Sequence, residues 1–243
     1  DAIIARDMLR LPIKVVFTSA AQRRHSLVPR WLISKMDTVI ATTELAASYV
    51  PNVGAIIPHG VNTEKFRPSN NLKDAWKKTG YPGVRGIATI GRIRKEKGTD
   101  LFVDSMIRIL PNIKNVTALI IGKAGDKDKS FLENLKSKVN TAKLNHRIIF
   151  TGEIPTEKLP SILGSLSLLV ALPRYEGFGM TPLEGMASGV PFVASSTGYF
   201  KELSDQGRCG KVVPVGDINS AVQCIKLFLT EEEHRKEASI RCR

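Results

Sequence analysis

The chain has 243 residues, 42% of them hydrophobic, and 36 Lys and Arg stand against 23 Asp and Glu for a formal net charge of +13. That length can bury the core of one large or two small domains; no apolar run is long enough to cross a bilayer, and the odd set Cys209, Cys224 and Cys242, without metal-ligand spacing, argues against a disulfide framework and for a reducing compartment. The positive charge calls for anionic partners, but basic residues scattered without interleaved aromatics set specific nucleic-acid binding aside.

Short apolar segments of strand character fall at 13–18, 38–41, 55–58, 86–90, 116–121, 147–151, 166–172, 191–194 and 211–213. Helical periodicity lies between them at 29–36, 43–49, 101–110, 130–142 and 218–229. Such alternation predicts βαβ units and a parallel sheet, an α/β fold in which ligands bind beyond the carboxyl ends of the strands. Arg23, Arg24 and His25, with Arg30, form the densest basic cluster. Pro58, His59 and Gly60 interrupt the apolar period and mark a boundary, which divides the chain into 1–58 and 59–243.

Two glycine loops carry the chemistry. The first follows the apolar run 85–90: Gly91-Arg92-Ile93-Arg94-Lys95-Glu96-Lys97-Gly98, with Thr99 and Asp100 as caps for the helix beyond. It matches neither a Walker loop nor the dinucleotide fingerprint. What it brings is fixed cationic charge from Arg92, Arg94, Lys95 and Lys97, although such runs are commonly solvated turns.

The second loop, RYEGFGMTPLEGMASG at 174–189, follows the run SLSLLVAL at 165–172 and leads onto a helix start, where N–H groups and the positive end of the macrodipole favour an anion. Gly177 and Gly179 let the backbone approach a ligand. Two readings stand for Glu184: it closes a capping box with Thr181 as N-cap and Pro182 at the first helical position, or it binds ligand. Glu176 lies close to the expected anion site, where repulsion disfavours it unless it holds hydroxyls or a cation; otherwise it is a solvated loop residue. Together the loops suit a ligand with a diphosphate at one end and hydroxyls at both.

Gly91-Arg92, Lys97-Gly98 and the pair Glu176 and Glu184 within EGFGMTPLEGMASG resemble the donor-binding half of retaining GT-B glycosyltransferases of family 4, from about His59 to Asp217. IATTELAASYVPNV, IPHGVNTEKFRP and VALPRYEGFGMTPLEGMASGVPFVA are more closely similar to bacterial lipopolysaccharide core mannosyltransferases. The resemblance implies a GT-B fold: a Rossmann-like donor domain at 59–243 after a truncated remnant of a second Rossmann-like, acceptor domain at 1–58. It implies catalytic roles for Arg92 and Lys97 on the nucleotide diphosphate and for Glu176 on the donor sugar hydroxyls, with Glu184 on the ribose diol. Gly91, Gly177, the backbone of Phe178, Gly179, Met180 and Thr181, and Gly152, Glu153 and Ile154 near the base complete the donor set.

The activity implied is retaining hexosyl transfer, mannose from GDP-mannose to a lipopolysaccharide core sugar or other glycolipid. Alternatives are UDP-glucose or UDP-N-acetylglucosamine as donor, or a sugar-nucleotide-binding module without turnover. No cofactor is expected, and no metal, since no His/Asp/Cys cluster at ligand spacing and no Asp-x-Asp is read and fixed cations can stabilise the diphosphate leaving group. The resemblance implies a histidine at the end of a first-domain strand; here Thr18 and Ser19 stand at that place with His25 further on, so the role stays unassigned, and His59 reads as a linker residue. A cytoplasmic enzyme in peripheral contact with an anionic inner membrane is the expected setting.

Overall fold

The computed structural model describes residues 1–242 and divides into two compact units, Asp1–Gly60 with Glu176–Phe178, and Val61–Tyr175 with the residues from Gly179 onward. The smaller unit contains helix α1 (Ala2–Asp7), strand β1 (Val16–Ser19), α2 (Leu27–Ser34), β2 (Thr38–Ala41), α3 (Glu44–Ala47) and β3 (Val53–Ile56). Its three strands are parallel in the order β1-β2-β3. Thr43 caps α3 by accepting from the Ala46 N–H at 2.9 Å. Asp37 accepts from the Val15 N–H at 2.8 Å and from Arg6 at 2.7 Å, which holds its carboxyl down to about 2.

The larger unit runs α4 (Leu72–Lys78), β4 (Arg85–Ile90), α5 (Thr99–Ile109), β5 (Val116–Ile121), α6 (Lys129–Thr141), β6 (Ile148–Gly152), α7 (Leu159–Leu163), β7 (Leu166–Ala171), α8 (Met180–Ala187), β8 (Phe192–Ser195), α9 (Phe200–Leu203), β9 (Gly210–Val213), α10 (Ile218–Thr230) and α11 (Glu232–Arg241). All six strands are parallel, in the order β6-β5-β4-β7-β8-β9. Every residue of β5 is buried, as expected of a strand covered by helices on both faces, and this is why its sequence is a continuous apolar run.

Strand alternation sorts the core into two layers. Ile87, Ala118, Ile120, Leu168 and Val170 pack with Phe102 and Met106 of α5, Leu135 of α6 and Ile225 and Phe228 of α10. Ala88, Leu119, Leu169 and Phe192 turn the other way, onto Trp76 of α4, Leu163 of α7 and Phe200 of α9. The strand order decides the location of the site. From the central pair β4 and β7 the chain winds outward in opposite directions, so the loops leaving these neighbours diverge and open a crevice between them, the switch point at which open α/β sheets bind ligands. The loops that leave β4 and β7 are the cationic loop and the 174–189 loop.

Candidate donor site

Beyond β4 the backbone stays tied to its neighbour: the Gly91 N–H donates to the Ile121 carbonyl and the Ile93 N–H to that of Lys123, both at 2.9 Å. Ile93 is buried and anchors the loop, while the Arg92 side chain is exposed. Residues Lys95–Lys97 form a 3-10 turn that ends on Gly98 at φ 70°. A Cβ on Gly98 would lie 1.8 Å from the Leu172 carbonyl oxygen, so the turn can rest on the end of β7 only because this residue is glycine. Gly98 is also the N-cap of α5, which places Thr99 and Asp100 inside the helix rather than at its cap.

Asp100 is thereby released for another task. Arg174 donates to its carboxylate through Nη1 at 2.8 Å and Nη2 at 2.7 Å, and Nη1 also donates to the Lys95 carbonyl. The Arg174 N–H donates to the Glu96 carbonyl at 2.8 Å. One residue after β7 therefore fastens the loop that presents Arg92 and Lys97, and its guanidinium is held above its ordinary pKa by Asp100. Sequence reasoning missed Arg174, whose partner lies 74 residues away. From the other flank, buried Ser195 at the end of β8 donates to the Pro173 carbonyl at 2.5 Å.

The start of α8 corrects one expectation. Its N-cap is Gly179 at φ 104°, not Thr181, and a Cβ on Gly179 would lie 1.9 Å from Cε1 of buried Phe200. Close packing against α9 thus begins the helix earlier than the capping-box pattern predicts. Pro182 falls at the third helical position, where it has no N–H to leave unsatisfied, and the N–H groups of Gly179, Met180 and Thr181 precede the helical ladder. Glu184 is too far along α8 to reach back as a capping-box partner, so that reading fails. Its carboxyl is half-buried, and burial raises its pKa while the Lys65 cation opposes the rise.

The segment Glu176–Phe178 groups with the smaller unit. A Glu176 carboxylate oxygen accepts from the Gly177 N–H at 3.1 Å. Gly177 packs against the Ala20 carbonyl, which a Cβ would approach to 2.5 Å, so this glycine answers to protein packing. Phe178 is buried and meets the His59 ring edge-on at 4.9 Å.

Of the residues expected near the base, Gly152 is joined to the strand ends through the Gly122 N–H, which donates to its carbonyl at 2.8 Å. Glu153 forms an exposed pair with Lys123 at 2.6 Å, and half-buried Ile154 packs on the Trp76 layer. The expectation of no Asp-x-Asp is corrected: Asp126 and Asp128 form such a triplet on an exposed 3-10 turn, with Asp126 on Lys129 at 2.8 Å. Among the described residues no group of three or more His, Cys, Asp or Glu could hold a metal ion, and no helix is long and apolar enough to cross a membrane.

The family of glycosyl transferases group 1 matches residues 73–243. The chain is 40% identical over 241 residues to the lipopolysaccharide core biosynthesis mannosyltransferase LpsB of Rhizobium meliloti (strain 1021), a match covering 98% of this chain and 68% of that protein. It is 41% identical over 229 residues to the lipopolysaccharide core biosynthesis mannosyltransferase LpcC of Rhizobium leguminosarum bv. viciae, covering 94% and 64%. The chain thus spans about two thirds of the length of these curated relatives. Among solved structures it is similar to the C-terminal domain of the group 1 glycosyl transferase LpcC from Francisella tularensis, with a TM-score of 0.73 and 32% identity over 75% of this chain and 94% of that one. Its fold also matches Anabaena HepE, with a TM-score of 0.84 at 18% identity over 99% and 69% of the two chains. With a family match over well more than half its length and relatives at 40% identity, this chain belongs to the group 1 glycosyl transferases.

Proposed function

We propose that the chain is the donor-binding part of a retaining hexosyltransferase that moves mannose from GDP-mannose to a lipopolysaccharide core sugar. The observation that carries this reading is the position of the cationic loop and the open α8 start on β4 and β7, the strands that flank the switch point. A nucleoside diphosphate leaves as an anion. Charge-assisted contacts from Arg92 and Lys97 and the α8 N–H groups strengthen as negative charge gathers on the bridging oxygen, which is how fixed positive charge lowers the barrier. In this reading Glu184, relieved of capping duty and half-buried, accepts from the ribose diol, Glu176 holds donor sugar hydroxyls, and 152–154 border the base.

The relatives named as lipopolysaccharide core mannosyltransferases support the choice of sugar and acceptor. Peripheral contact with an anionic membrane is supported by α2 of the smaller unit, where Leu27, Val28 and Trp31 are 81%, 67% and 59% exposed beside Arg24, Arg30 and Lys35. Calorimetric titration with GDP, UDP and ADP, with and without the attached sugar, tests the donor assignment. Tightest binding of GDP-mannose is expected; a preference for UDP-glucose or UDP-N-acetylglucosamine would replace it with the alternative donor.

A further inference from the structure

At the amino ends of β4, β7 and β8, the opposite end of the sheet from the donor loops, a cavity of about 710 Å3 opens beneath α11. The six residues of β4, at about 3.3 Å each, separate it from Gly91 by roughly 20 Å. Among the described residues its wall carries four cationic side chains, Lys73, Arg85, Arg235 and Lys236, and one carboxylate, Glu232.

Lys236 is already paired with Glu233 at 2.9 Å, and the wall's one carboxylate does not satisfy the arginines. Glu232 is 62% exposed, approaches Arg235 only to 3.9 Å and is shared with Lys236 at 3.4 Å. Arg235 is only 9% exposed, and its Nε has no hydrogen-bond partner. Arg85, at the foot of β4, gives Nη1 to the Leu229 carbonyl at 3.1 Å, and its charge repels that of Arg235. The buried hydroxyl of Ser167 on β7, also on the wall, has no partner either. Two guanidinium groups gathered at one wall, one of them buried with an unsatisfied donor, cost stability unless an anion joins them, because a guanidinium does not shed its proton at ordinary pH. Apolar Trp76, Leu166 and Leu229 complete the wall, so there is room for an organic body as well as an anionic group.

We propose that this cavity binds a small organic phosphate, with Arg85 and Arg235 as its phosphate ligands, at a site separate from the donor crevice. The test is calorimetric titration of the chain, in chloride buffer, with glucose 6-phosphate and with inorganic phosphate. Variants Arg85→Gln, Arg235→Gln and, as a control in the donor loop, Lys97→Ala are compared with the parent. Arg85→Gln, at the amino end of β4 and less buried than Arg235, supplies the result if Arg235→Gln does not fold. Saturable one-to-one binding of glucose 6-phosphate, weakened at least tenfold by Arg85→Gln and unchanged by Lys97→Ala, is expected. Tighter binding of glucose 6-phosphate than of inorganic phosphate supports an organic ligand, and equal binding overturns that part of the proposal. No binding to the parent, or binding lost in Lys97→Ala and kept in Arg85→Gln, overturns the site.

Discussion

Replacing Arg174 with Met keeps the length of the side chain and removes the fastening of the cationic loop. The lost contacts are two charge-assisted bonds to Asp100, at 2.8 and 2.7 Å, and one to the Lys95 carbonyl. An exposed pair is worth about 0–1 kcal/mol and the breaking of a buried one costs about 3–5. With side-chain exposures of 31% for Arg174 and 19% for Asp100 the pair lies between these limits, and bidentate geometry places it near 2 kcal/mol. Urea unfolding should show a loss of about that size, with coupling of at least about 1 kcal/mol in a cycle with Asp100→Asn. Because the loop presents Arg92 and Lys97, GDP affinity should fall roughly tenfold, about 1.4 kcal/mol, although Arg174 has no assigned contact with ligand. Guanosine, which has no phosphate for the loop to hold, should bind as before. Undiminished GDP affinity in a folded Arg174→Met variant would show that the clamp serves stability alone.

Arg92→Ala and Lys97→Ala should each weaken GDP binding by about 1.5–3 kcal/mol and leave guanosine binding nearly unchanged in calorimetry; equal affinity of both variants and the parent would make the loop a solvated turn. Burial raises the Glu184 carboxyl, so the folded chain holds that proton more tightly than the unfolded chain; its stabilising contribution is whole below the ordinary carboxylate pKa and is lost as pH rises through the native value. Glu184→Gln should remove this slope from the stability-versus-pH curve, and in the parent GDP affinity should rise with pH over the same window while an analogue without the ribose diol shows no rise. Equal pH responses of the two nucleotides would remove Glu184 from the ribose. Gly98→Ala meets both a left-handed φ and the Leu172 carbonyl, so it should cost more than about 2 kcal/mol in urea unfolding; a neutral substitution would mean that the loop rests elsewhere.

What could be read in the sequence follows from how local each cause is. The run that became β7 was legible because a parallel strand buried on both faces is apolar throughout, as five buried residues of Leu166–Ala171 show. Helix α4 was missed because Trp76 is its one buried residue, too little for a periodic signal, although Asn71 caps it by accepting from the Lys73 and Asp74 N–H groups. In α11 the buried residues are Arg235 and Ala238, so hydrophobicity marks no face. The Thr181 capping pattern was locally sound but lost to a tertiary contact, that of Gly179 with Phe200. Likewise, glycine and charge pointed to the two loops, while the strand order that makes β4 and β7 neighbours, and the Arg174 clamp between residues distant in sequence, exist only in the folded chain.

Retaining mannosyl transfer supported by fixed cations at the switch point can be tested on the product itself. A chain that spans the full length of its relatives should be incubated with GDP-mannose and a purified lipopolysaccharide core acceptor in the presence of a metal chelator, and the product's anomeric configuration read by NMR. A mannosylated core with the α configuration of the donor is expected, formed despite the chelator and lost in the Arg92→Ala, Lys97→Ala double variant. An inverted product, or transfer that the double variant carries out as fast as the parent, would contradict it.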